Sequence, residues 1–212
     1  MGTTSFDTLH SKNPLILASA SPRRRALLKQ LGLPFEWVSS GVAEDGASGD
    51  PADLCAGLAW LKASRVHREA GPRWVLGADT VVVVEDVILG KPQDAAAARK
   101  MLEALSGREH RVVTGFCLLE PSGRTARRQA VSTRVRIKRL SSREIQGYIL
   151  SGEPFGKAGS YAIQGVGAFL VESLSGSYSN VVGLPLCEVV NALVEAGALT
   201  RFPVMPAEGA QK

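Results

Sequence analysis

The chain is poor in the residues that build metal cages and disulfide frameworks. Its 212 residues include three cysteines and three histidines. Cys55, Cys117 and Cys187 are odd in number and lack metal-ligand spacing. Each sits among apolar neighbours, which predicts buried, reduced thiols in a cytoplasmic protein. His10, His67 and His110 include no close pair, which argues against zinc. No apolar run approaches the length of a membrane span. The opening MGTTSFDTLHSKN has no apolar signal-peptide core, and Phe6 stands where a myristoylation signal needs Ser or Thr. Neither GxGxxG nor GxxxxGK[ST] occurs, so there is no dinucleotide fingerprint and no P-loop.

What is present suits one sizeable α/β domain, with 45% hydrophobic residues. Residues 15–19 read as a buried strand and 22–31 as a helix that Gly32 ends; 35–39 alternates like a strand. Residues 44–50 are polar and glycine-containing, as in a mobile loop. The helix expected over 51–69 places Leu54, Leu58 and Leu61 inward. Residues 74–78 and 81–84 are strongly β, and 87–89 return across a Glu85-Asp86 turn. Asp94 caps a helix over 95–105, which buries Ala98, Met101, Leu102 and Leu105 and stops at Gly107. Long strands over 111–119 and 127–138 are joined by a turn at 121–123. Ser141 and Glu144 form a capping box for a helix over 143–150. A glycine-rich stretch, 152–167, leads to a strand over 168–174, and 186–195 form the last helix, from Pro185 to Gly197. Residues 1–13 are expected to be a flexible arm, 14–199 a single domain and 200–212 a frayed tail. The long hairpin predicts a mixed sheet flanked by helices, not an all-parallel nucleotide-binding sheet.

The net charge is +5 and the excess is uneven. Ser21 and Pro22 suit the start of a helix, and Arg23, Arg24 and Arg25 follow in its first turn. That turn carries the positive end of the helix dipole, so three cations there repel it unless an anion neutralises them or solvent screens them. A second basic stretch runs from Arg124 to Arg143 with no acid inside it. Arg134, Arg136 and Lys138 share one strand face and Val131, Val135 and Ile137 the other. Such a face binds nucleic acid or is simply solvated.

Other residues stand out by context. Asp79 interrupts VLGADTVVVV, where a carboxylate is costly to bury unless it is paired, metal-bound or at a strand break. It reads as a metal ligand or general base, or else as a turn carboxylate. Thr80 beside it is ordinary in a strand. Lys91, between Gly90 and Pro92, is placed to reach phosphate or is a plain loop lysine. Glu44 and Lys62 gain meaning only if the fold brings them to the arginines. In GKAGSYAIQGVG, glycines surround Tyr161 and Gln164; they allow backbone to approach a ligand, and a fixed glutamine can both donate to and accept from a base edge. A plain glycine-rich turn with a core tyrosine is the alternative.

Together, LASASPRRRALLKQLG, the Glu44 region, LAWLKA, LGADTVVV, GKPQD, MLEALSG, GKAGSYAIQG and NVVGLPL resemble, in order, the Maf family of nucleoside triphosphate pyrophosphatases. The match runs from about Leu15 to about Ala196. It implies a long bent mixed sheet with a cleft between two lobes, similar to the inosine triphosphate pyrophosphatases. The implied activity is hydrolysis of a nucleoside triphosphate to the monophosphate and pyrophosphate, with a divalent cation (Mg2+ or Mn2+).

By the family pattern Asp79 is the general base. Ser19, Arg24, Glu44, Lys62 and Lys91 match conserved site positions, with Glu44 and Asp79 as metal ligands. Arg23, Thr80 and Gln164 match the positions that separate subfamilies, and here they follow the members acting on dTTP and UTP. Relatives acting on 7-methyl-GTP carry Trp, Gln and Glu at those positions. The chemistry agrees, since a glutamine can donate to the pyrimidine O4 and accept from N3–H, whereas a carboxylate suits two guanine N–H donors. Gly57 and Ala43 depart from the pattern, where many members carry an arginine and an acid. The expected partner is the nucleotide, with no membrane and no nucleic acid; a homodimer is left open. A non-enzymatic nucleotide- or nucleic-acid-binding regulator of cell division is the competing expectation.

Overall fold

The computed structural model describes residues 8–43, 49–200 and 202–203. Seven strands among them form one mixed sheet: β1 (Leu15–Leu17), β2 (Phe35–Trp37), β3 (Val75–Val84), β4 (Val87–Leu89), β5 (Glu109–Leu119), β6 (Thr125–Ile137) and β7 (Val171–Ser175). The helices are α1 (Pro22–Gln30), α2 (Pro51–Ala70), α3 (Ala95–Leu105), α4 (Ser142–Leu150), α5 (Tyr178–Val182) and α6 (Leu186–Glu195). Spatial order is β2-β1-β3-β5-β6-β7, with β4 on β3. Strand β1 runs parallel to β2 and β3, while β3, β5, β6 and β7 alternate in direction. Helices α1 and α2 make the long crossovers that parallel neighbours require.

The pairing of β3 opens the cleft. Along one edge β3 is paired with β5 from Val75 to Val83. On its other edge Val75 and Leu76 pair with β1, and Val82 to Val84 pair with β4. Between those contacts residues 77–81 carry no strand among the described residues, so the sheet divides into two wings. Asp79 and Thr80 lie at the division. The run is one unbroken strand, so Asp79 marks no strand break.

Period-2 alternation sends β3 side chains to opposite faces. Leu76, Ala78, Val82 and Val84 join the cores under α1, α6 and α3. On the other face Val81 and Val83 pack with Cys55 of α2. Of the three leucines expected inward on α2, Leu54 packs half-buried against Cys55 and Val81, Leu58 is half-buried and Leu61 is 47% exposed; the buried row is Cys55, Ala56, Ala59, Lys62, Ala63 and Val66. The reason is proximity. A Cβ on Gly77 would lie 2.1 Å from the Ala59 carbonyl oxygen, and one on Gly115 2.3 Å from the Ala56 nitrogen. Two glycines on neighbouring strands let the helix backbone lie against the sheet, and only small residues fit between them.

Local signals account for most boundaries. Ser21 caps α1, Asp94 caps α3 with its Oδ1 2.7 Å from the Ala97 N–H, and Ser141 with Glu144 completes a capping box on α4. Glu85 and Asp86 both take positive φ in the β3–β4 turn. Residues 168–170, expected to begin a strand, instead end a 3-10 helix spanning Gly165–Leu170, and β7 starts at Val171. Two tight turns rich in glycine use up the chain before extension is possible. Cys55 and Cys117 are buried, but Cys187 is exposed on the outer face of α6. Leu9 donates its N–H to the Ala198 carbonyl at 2.8 Å, and Phe202 packs on the core. Residues 1–7, 201 and 204–212 of the expected arm and tail lie outside the described residues. No described helix is long and apolar enough to cross a membrane.

Candidate active site

The division in the sheet is the floor of a cleft of about 300 Å³. Asp79 points from β3 toward α2, where Lys62 Nζ donates to its Oδ1 at 2.5 Å. The pair is almost fully enclosed, at 4% and 3% exposure for Asp79 and Lys62. A buried charged pair is retained at a large desolvation cost, which makes it a candidate for chemistry as much as for structure. Thr80, one residue on, points to the opposite face. There its Oγ1 accepts from Arg24 at 3.0 Å and donates to Thr114 Oγ1 at 3.0 Å, whose own hydroxyl donates to the Asn180 carbonyl.

The three consecutive arginines fan out because helical residues turn about 100° apart. Arg25 stacks on Trp37, 4.3 Å from the ring centre. Arg24 is buried and turns inward: Nε donates to the Gly183 carbonyl at 2.7 Å, one terminal nitrogen to Ser19 Oγ at 3.2 Å and the other to Thr80. These acceptors carry no formal charge. Arg23 points across the cleft mouth toward the 152–170 segment. Burial holds its guanidinium below the ordinary value, with Tyr148 acting weakly the other way. Lys157 stands on the opposite wall. Burial lowers its ammonium first and the positive charge of Arg23 lowers it further, against Glu153. Two cations held this way gain most from an anion between them.

The structure therefore brings Ser19, Arg23, Arg24, Lys62, Asp79, Thr80, Lys91 and Gln164 to one cleft. Glu44 lies outside the described residues. Lys157 was not singled out from the sequence, although it stands in the GKAGSYAIQG motif next to Gly156. Tyr161 also lines the cleft, and its hydroxyl lies 2.7 Å from Nε2 of His110, which burial brings down to about 4. A tyrosine hydroxyl donating to a neutral histidine matches that shift.

Asp79 is the acidic side chain on the described cleft wall, and no described group of three His, Cys, Asp or Glu residues could hold a metal by itself. Magnesium is commonly held by one or two carboxylates while phosphates and water fill the other positions. Asp79, facing a cationic cleft, fits a hard cation that arrives with a polyphosphate.

The second basic stretch behaves differently. Arg124 pairs with Glu120, Arg127 with Glu195, Arg134 with Glu109, Arg136 with Glu172 and Lys138 with Glu144. Glu195, Glu109, Glu172 and Glu144 lie on α6, β5, β7 and α4, and Glu120 stands in the same turn as Arg124.

Curated relatives match over nearly the whole chain. A dTTP/UTP pyrophosphatase of Geotalea uraniireducens (strain Rf4) is 51% identical over 192 residues, covering 90% of this chain and 99% of that one. A dTTP/UTP pyrophosphatase of Syntrophotalea carbinolica is 48% identical over 191 residues, covering 89% and 87%. A solved structure, the nucleoside-triphosphatase / dITP/XTP pyrophosphatase of Mycobacterium abscessus, overlaps at 16% identity and a TM-score of 0.44, covering 91% of this chain and 99% of that one. The Maf-like protein family model matches residues 14–196, and the chain belongs to that family.

Proposed function

We propose that this protein hydrolyses dTTP and UTP to the monophosphate and pyrophosphate in the cleft at Asp79. The observation that carries the reading is the buried Asp79–Lys62 pair on the floor of a cleft whose other walls are cationic. The names of relatives that align over almost their full length support the substrate class.

In this reading Asp79 accepts the proton of a water attacking the α-phosphorus in line, and Lys62 holds the carboxylate toward it. Arg23, Lys91 and Lys157 take the charge of the triphosphate and then of the leaving pyrophosphate. Arg24 sets Ser19 and Thr80 in place while facing the same charge. Gln164 donates to the pyrimidine O4 and accepts from N3–H, with Thr80 beside the nucleoside. A Mg2+ or Mn2+ ion, held by Asp79 and Glu44, would neutralise phosphate oxygens as a Lewis acid. Three cysteines without a disulfide agree with a reducing cytoplasm.

Hydrolysis of UTP in 18O-labelled water tests the site of attack. The label is expected in UMP, with unlabelled pyrophosphate. Label in pyrophosphate, or release of single phosphate, would overturn the proposed step.

A further inference from the structure

The 3-10 helix Gly165–Leu170 begins directly after Gln164, yet Gln164 makes no capping bond with its own side chain. The first N–H groups of such a turn need an acceptor. Glu153 supplies it from a different segment: Oε1 accepts from Val166 N–H at 3.1 Å and Oε2 from Gly167 N–H at 2.6 Å. Tyr148 of α4 sets its hydroxyl beside Glu153, against the same face of Gly167, and that oxygen accepts the Ala162 N–H at 3.1 Å. Lys157 donates to the Glu153 main-chain oxygen.

The glycines follow from this clasp. A Cβ on Gly165 would lie 2.1 Å from Glu153 Oε1, and one on Gly167 would lie 2.5 Å from the Tyr148 hydroxyl. The glycines around Gln164 thus admit side chains of the protein itself, where the sequence suggested a ligand.

We propose that Glu153 is a positioning residue for pyrimidine recognition: by capping the turn from outside, it leaves the Gln164 amide uncommitted and fixes its place on the cleft wall. The inference rests on the proposed role of Gln164. Without the clasp the turn is held at one end only, and Gln164 loses its register with the base. UTP then loses the bonds that Gln164 makes, whereas CTP, with donor and acceptor exchanged at those positions, has little to lose.

The test is steady-state kinetics with UTP and CTP on the wild type, Glu153→Gln, Gln164→Ala and the double variant. Glu153→Gln sets an NH2 against a backbone N–H. It is expected to raise KM for UTP roughly tenfold, as loss of a strong cap implies. The change in kcat stays within about twofold. The UTP-over-CTP preference falls by the same factor as KM rises, and in the Gln164→Ala background the substitution changes that preference no further. Tyr148→Phe removes one hydroxyl from the clasp and serves as the second variant should Glu153→Gln fail to fold. It is expected to shift the preference the same way, roughly threefold. An unchanged preference in a folded, active variant overturns the role of Glu153 alone, as does a loss that adds in full to that of Gln164→Ala. A wild type that turns over neither UTP nor dTTP overturns the proposed function and this inference with it.

Discussion

Two arginine-rich stretches of one chain meet opposite fates. From the turn before β6 to just past its end, Arg124, Arg127, Arg134, Arg136 and Lys138 each find a carboxylate. These pairs are largely exposed, and pairs of that kind contribute between zero and about 1 kcal/mol each. At the start of α1 the described cleft wall brings further cations, Lys91 and Lys157. Arg23 faces Lys157 across a partly buried gap; burial lowers both, and the positive charge of Arg23 lowers Lys157 further. A basic run in sequence thus says little about binding. What matters is whether the fold delivers acids or more cations to it, and only the second arrangement stores a demand for an anion.

The largest way to break this contrast is at the cleft floor. Asp79→Asn is expected to lower kcat for UTP roughly 10³-fold, the usual scale for loss of a general base. It also removes the carboxylate charge that faces the buried Lys62 ammonium, at a stability cost of about 3–5 kcal/mol. Thermal unfolding alongside kinetics separates the two effects. If Asp79→Asn kept near-normal turnover while Glu44→Gln lost it, the two acids would exchange roles.

A smaller effect sharpens the contrast between the basic regions. Arg23→Ala is expected to raise KM for UTP roughly tenfold with kcat changed less, and to flatten the salt dependence of KM. The triple variant Arg134→Ala, Arg136→Ala, Lys138→Ala is expected to leave both parameters within about twofold. Loss of turnover in the triple variant would place substrate on β6 and undo the comparison.

Much of this was readable from sequence where a local rule acts alone. Asp94, Ser141 with Glu144, and the Glu85-Asp86 turn each announce a boundary through bonds within a few residues. Asp79 announced itself by its cost among valines. The inner face of α2 was not readable, because Gly77 and Gly115, far off in sequence, decide that Ala59 and Ala63 go inward and Leu61 stays out. Helix α5 was missed because its five residues lack an apolar period and are held by tertiary bonds, from Asn180 Nδ2 to the Val112 carbonyl and to Thr133. The motif containing Gln164 was visible, but the carboxylate that clasps it stands in SGEP, where nothing local marks Glu153 as a cap for a later turn. Residues acting through their own neighbours were legible, and residues acting through distant ones were not.

The central claim is that this cleft cleaves pyrimidine triphosphates between the α- and β-phosphorus. A panel of nucleoside triphosphates with Mg2+ or Mn2+, resolving pyrophosphate from single phosphate, tests it most directly. The account predicts pyrophosphate from dTTP and UTP and little from 7-methyl-GTP. Pyrophosphate mainly from 7-methyl-GTP would contradict the roles given to Arg23, Thr80 and Gln164, and no turnover of any triphosphate by folded protein would contradict the account as a whole.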